Sequence, residues 1–130
     1  MFKDKNGNYR LKIAFDFDGT LTEGLFYILA NHLITKGHDV WIMTARTESN
    51  DEYIAQCKRF RIPPEKNALE RNNDIYEMAT ELGIRDKIIF TNLEDKSKAF
   101  QDHQFDILFD DDAEWHCNPV CEAGGMAVNI

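Results

Sequence analysis

Ile13-Ala-Phe-Asp-Phe-Asp-Gly-Thr-Leu-Thr22 is the stretch around which the chain is organised. Ile13, Ala14, Phe15 and Phe17 precede or surround two aspartates set two apart, and a Gly-Thr pair follows at once. A short apolar run cut off by glycine reads as a buried strand that stops abruptly. Asp16 and Asp18 then lie at its carboxyl end, which is where open α/β sheets bind ligands. Two carboxylates so close repel unless a positive charge lies between them. A hard cation that prefers oxygen ligands, Mg²⁺, fits that position.

Working outward, apolar runs and helical patterns alternate. Residues 1–9 read as a polar lead-in or hairpin tip, and 10–16 as the first strand. Leu25, Ile28, Leu29 and Leu33 recur at helical spacing over 24–36, closed by Gly37. Asp39–Thr44 is a second strand, Glu48–Phe60 an amphipathic helix stopped by Pro63-Pro64, and Asn72 or Asn73 begins a helix running to Leu82 and Gly83. Lys87–Thr91 is a third strand, and Asn92 caps a helix over 93–102. Phe105–Phe109 is a fourth strand, followed by a turn near 113–117 and a fifth strand over Met126–Ile130. The alternation predicts an α/β fold with a parallel five-stranded sheet and helices on both faces.

The 130 residues suffice for one domain. A hydrophobic fraction of 43%, with nine Phe, can supply a core. No apolar run reaches the length of a membrane span and the N-terminus lacks a signal-type apolar region, so no membrane partner and a cytoplasmic location are expected. A net charge of −8 argues against broad nucleic-acid binding. It leaves room for a small phosphorylated substrate or a single nucleic-acid end. Cys57, Cys117 and Cys121 are expected as reduced thiols. His116, Cys117 and Cys121 lack the fourth ligand and the pair spacing of a structural zinc site. The four histidines read as surface or capping residues, with a place at the site's edge open to His116. Trp115 is either a surface residue or a stacking face for substrate.

The polar signals fall at strand ends: Asp16 and Asp18 after the first, Thr44 with Ala45 and Arg46 after the second, Lys96 or Lys98 after the third, and Asp110-Asp111-Asp112 after the fourth. In a parallel sheet these ends share one rim. Such a set holds a nucleophile, a proton donor, a cation site and groups for phosphoryl oxygens. Arg46 either clamps substrate or pairs with Glu48.

In these residues the chain resembles the haloacid dehalogenase superfamily of phosphohydrolases. The family's D-x-D-G-[TS]-[LV]-[TS] signature is matched by Asp16–Thr22, and its strand ending in Thr or Ser by Trp41–Thr44. Its lysine about fourteen residues before an acidic pair fits Lys96 better than Lys98, and the pair itself fits Asp110-Asp111. The resemblance runs from residue 11 to the end of the chain, and four motifs in order are far more specific than the first alone. It implies a three-layer Rossmann-like fold and a Mg²⁺-dependent phosphatase. Asp16 would attack phosphorus and also bind the metal. Asp18 would act as acid and then base, its backbone carbonyl touching the metal. Thr44 would bond the phosphoryl group, and Lys96 would balance charge. Asp111 would be the direct metal ligand, with Asp110 beside it acting through water or on Lys96. Asp112 is extra to the pair. Backbone amides near Phe17 and Ala45 would complete the oxyanion cradle.

Only 25 residues separate Asp18 from Thr44, so no cap domain is expected there. Between Thr44 and Lys96 the chain reads as two helices and a strand. An open site suits a large substrate or a homo-oligomer in which a neighbouring subunit covers it. A nucleotidase, a polynucleotide 3′-phosphatase and a sugar-phosphate phosphatase remain open. Outside that class stand a non-catalytic phosphoacceptor domain, whose acidic pair would precede its phosphoacceptor, and an inactive binding subunit of the same fold.

Overall fold

The apolar runs assemble into one sheet. A computed structural model describes residues 1–130. Five strands, β3 (Lys12–Phe15), β4 (Asp39–Thr44), β5 (Ile88–Phe90), β6 (Ile107–Asp110) and β7 (Ala127–Asn129), lie in the order β5-β4-β3-β6-β7. Every pairing is parallel, with Ile13 opposite both Val40 and Ile107. Two short strands, β1 (Phe2–Lys3) and β2 (Tyr9–Arg10), make a separate antiparallel hairpin. The expected strand over 10–16 is thus divided at Leu11, whose N–H turns to His38 Nδ1 at 3.0 Å.

Helices cover both faces. α1 (Gly24–Thr35) and α3 (Asn73–Leu82) bury Ala30, Ile75, Ala79 and Leu82 against Ile13, Phe15, Val40 and Ile42. α4 (Ser97–Asp102) and α5 (Asn118–Glu122) bury Phe100 and Val120 against Ala14, Met43 and Leu108. No cap domain is present. α2 (Asn50–Phe60) belongs to neither core. It is fastened beside the rim by Arg71, which donates to Asn50 and to the carbonyls of Thr47, Glu48 and Ser49 and stacks on Tyr53. No helix is long and apolar enough to cross a membrane.

Three further local expectations are corrected. On α1 the residues packed inward are Tyr27, Leu29, Ala30, Leu33 and Ile34, so Leu29 and Leu33 lie as expected while Leu25 and Ile28 are exposed. The helix is apolar nearly all round, so periodicity alone did not select its face. α4 begins at Ser97 rather than 93, because Asn92 and Leu93 both take left-handed backbone, with φ of 56° and 66°. Asn72 stands at the start of α3 but does not cap it; its amide donates instead to Thr47 O.

Candidate functional site

β3 and β6 are neighbours from which the chain departs to opposite sides, so their carboxyl ends flank the crevice where such sheets bind ligands. Asp16 continues β3 in extended backbone, its N–H bonded to Phe109 O at 2.9 Å. The chain then turns tightly over Phe17–Leu21, with Leu21 N–H returning to Asp16 O and Thr22 N–H to Phe17 O. Buried Phe17 and Leu21 anchor this turn. Gly19 makes it feasible. Its φ is +77°, and a Cβ there would lie 2.2 Å from Asp111 Oδ2. Thr22 Oγ1 accepts from Gly19 N–H, and the Thr20 hydroxyl donates to Asp16 Oδ2 at 3.1 Å.

Lys96 is wholly buried, and its ammonium lies 2.7 Å from Asp16 Oδ1 and 2.5 Å from Asp110 Oδ2. Asp110 Oδ1 also accepts from Asp112 N–H. One ammonium against two buried carboxylates leaves excess negative charge. Burial pushes the Asp16 carboxyl up to about 7, with Asp110 adding to the rise and Lys96 opposing it. One oxygen from each of Asp16, Asp110 and Asp111 falls within 4.8 Å of the others. That all-oxygen donor set, under-neutralised by the protein itself, fits a hard divalent cation. The choice between Lys96 and Lys98 is settled in position: Lys98 is exposed and pairs with Asp102. Asp112 stands apart from the cluster and caps the following turn at Trp115 N–H.

A cavity of about 290 Å³ opens on Asp16, Thr44, Asp110 and Asp111. Thr44 is buried at its wall, its hydroxyl oxygen accepting from Arg46 N–H. His116 lines the cavity as well, with Nδ1 buried and unpartnered. Burial, then the Lys96 charge, holds His116 below the usual imidazole range. Trp115 is exposed and lines neither this cavity nor its neighbour. Cys117 is buried and its thiol is pushed up to about 11, chiefly by that burial, so it stays protonated.

Arg46 does not pair with Glu48, which accepts instead from the Tyr76 hydroxyl. All five of its N–H groups are committed. Nε and Nη2 meet the Asp18 carboxylate at 2.9 and 2.6 Å, Nη1 and Nη2 meet Asp74 at 2.8 and 3.1 Å, and Nη1 also reaches Arg71 O. The guanidinium lies over the Phe17 ring as well. Asp18 therefore directs its carboxylate to Arg46, while the metal-type cluster is made by Asp16, Asp110 and Asp111. Asp74 was not singled out from sequence, where it reads as an ordinary acid in a helix's first turn.

No known family, curated protein or solved structure matches the chain.

Proposed function

We propose that this chain is a Mg²⁺-dependent phosphomonoester hydrolase, a small capless enzyme of the haloacid dehalogenase kind, with Asp16 as nucleophile. The observation that carries the reading is Lys96, fully buried and bridging Asp16 and Asp110 beside the exposed carboxylate of Asp111. A buried lysine between carboxylates, with a cation-type oxygen cluster alongside, suits a site that receives a phosphate dianion.

In this reading the Thr20 hydroxyl holds the nucleophilic Asp16 carboxylate in place through the 3.1 Å bond, with Lys96 on the other oxygen. An Asp16 oxygen forms a bond to phosphorus as the ester P–O bond breaks, and Asp18, which takes up a proton from solvent on leaving Arg46, gives that proton to the departing alkoxide. Asp18 then takes a proton from water, which attacks phosphorus and frees phosphate and Asp16. The Thr44 hydroxyl donates to a phosphoryl oxygen throughout. Asp16, Asp110, Asp111 and the Asp18 carbonyl would hold Mg²⁺, and the ion would supply the positive charge that lets an anionic nucleophile meet an anionic ester. Arg46, with no free N–H, orients Asp18 and leaves the phosphate to other groups.

The test is p-nitrophenyl phosphate turnover. Wild type with Mg²⁺ should release nitrophenol, chelation should stop it, and Asp16→Asn should lower kcat by at least about 10³-fold. Stable phosphorylation of Asp16 without turnover would point to a phosphoacceptor domain instead. Chelator-insensitive turnover would rule out the assigned metal.

A further inference from the structure

A second cleft, about 550 Å³ in volume, lies between the rim and α2. Asp18, Arg46 and Leu93 line both it and the acidic cavity, so the two are continuous at the residue assigned to protonate the leaving group. Its size lies within the range of small-molecule sites, about 300–1,000 Å³. Tyr53, Phe60, Ile62 and Leu93 give it apolar walls, and Phe60, Ile62 and Leu93 keep more than half of their surface exposed.

Polar residues line the rest of it, and most of them are bonded to one another: Asp18 and Asp74 to Arg46, and Thr47 and Gln56 to each other. Arg46 has no N–H left. Arg71 is turned to Asn50 and four backbone carbonyls. Its Nη1 and Nη2 are spent there, so a second phosphate, or the backbone of a polynucleotide, would find no bidentate guanidinium here and would face Asp18, Glu65 and Asp74. Asn72, in contrast, is 5% exposed and its Oδ1 has no hydrogen-bond partner. The Tyr53 hydroxyl accepts from Glu65 N–H and keeps its own proton to donate. Apolar walls with the Tyr53 hydroxyl as donor, and with Asn72 Oδ1 and the Glu65 carboxylate as unpaired acceptors, suit a flat ring with N–H groups on its edge. A sugar with hydroxyls on every side would leave its polar groups against Phe60 and Ile62.

We propose that this cleft binds the leaving group of the substrate, and that this group is a nucleoside, its base against Phe60 and Ile62, which makes the substrate a nucleoside monophosphate. The proposal rests on the phosphatase reading for the reaction but not for the binding. Two measurements separate them. In the first, adenosine, guanosine, cytidine and thymidine are each titrated without phosphate or Mg²⁺ while backbone amide NMR shifts are followed. At least one should move the amides of 53–62, Asn72 and Leu93, and the shifts should vanish in Phe60→Ala. In the second, kcat/KM for the matching nucleoside 5′-monophosphate is divided by that for ribose 5-phosphate. This ratio should fall about tenfold in Phe60→Ala and in Ile62→Ala. Both side chains are largely exposed, so neither variant threatens folding. Nucleoside shifts in a protein that hydrolyses no phosphomonoester would uphold the cleft and sink the phosphatase reading. Absence of shifts with all the nucleosides, or an unchanged ratio in an active enzyme, would overturn the cleft assignment.

Discussion

Lys96 has no exposed surface, and its ammonium lies between the carboxylates of Asp16 and Asp110. Removing one partner of a buried ion cluster costs more than the cluster contributes, because the remaining charges stay desolvated. Lys96→Met should therefore lower the unfolding free energy of the metal-free protein by about 3–5 kcal/mol, measured in urea. Mg²⁺ should restore part of that loss. A variant as stable as wild type without metal would mean that Lys96 does not compensate those carboxylates. The identity of this lysine was readable from its distance to the acidic run, and burial separates it from Lys98, which lies on the solvent face of α4. The use of Arg46 was not readable: its partners Asp18 and Asp74 lie 28 residues away on either side and meet only after folding.

The turn Phe17–Leu21 is the element that makes the acidic cluster compact. Gly19 permits both the left-handed backbone and the close approach of Asp111. Gly19→Ala would place a methyl group 2.2 Å from Asp111 Oδ2 and strain a φ of +77°. Mg²⁺ affinity should fall about 10- to 100-fold by calorimetric titration, as when a ligand's support is disturbed. An unchanged affinity would remove Asp111 from the ligand set. The strands and most helix limits were legible because buried parallel strands read as unbroken apolar runs and helices end at Gly or Pro. The inward face of α1 was not, since Leu25 and Ile28 satisfy the same period as the residues that are buried. The cleft beside α2 was not legible either: Tyr53 and Phe60 recur at helical spacing, but Ile62, Asn72 and Leu93 lie outside that helix and meet them only in the folded chain.

Across the whole molecule, the buried acid cluster ties stability to pH and metal. The folded Asp16 pKa, about 7, lies above its ordinary 3.8. The metal-free folded protein thus holds a proton that the unfolded chain has released over that interval. This group's contribution is complete below about pH 4 and is lost as pH rises through about 7. The Tm difference between wild type and Asp16→Asn, both in chelator, should move against wild type from about pH 5 to about pH 8. Saturating Mg²⁺ should flatten the trend, with the gain from metal growing as pH rises. A difference that is level, or that moves in favour of wild type, would contradict the assignment.

The central strand has partners at very unequal distances along the polypeptide. Ile13 pairs with Val40 and also with Ile107, 94 residues on. Closing so long a loop is entropically late in folding. Asp16 gains Asp110 as a neighbour only when that long-range pairing forms, so a growing chain carries Asp16 and Asp18 well before Asp110 and Asp111 exist to complete the cluster. The acidic cluster should therefore assemble in one step once β6 has been made, and truncation anywhere before β6 would remove its metal affinity entirely rather than by degrees.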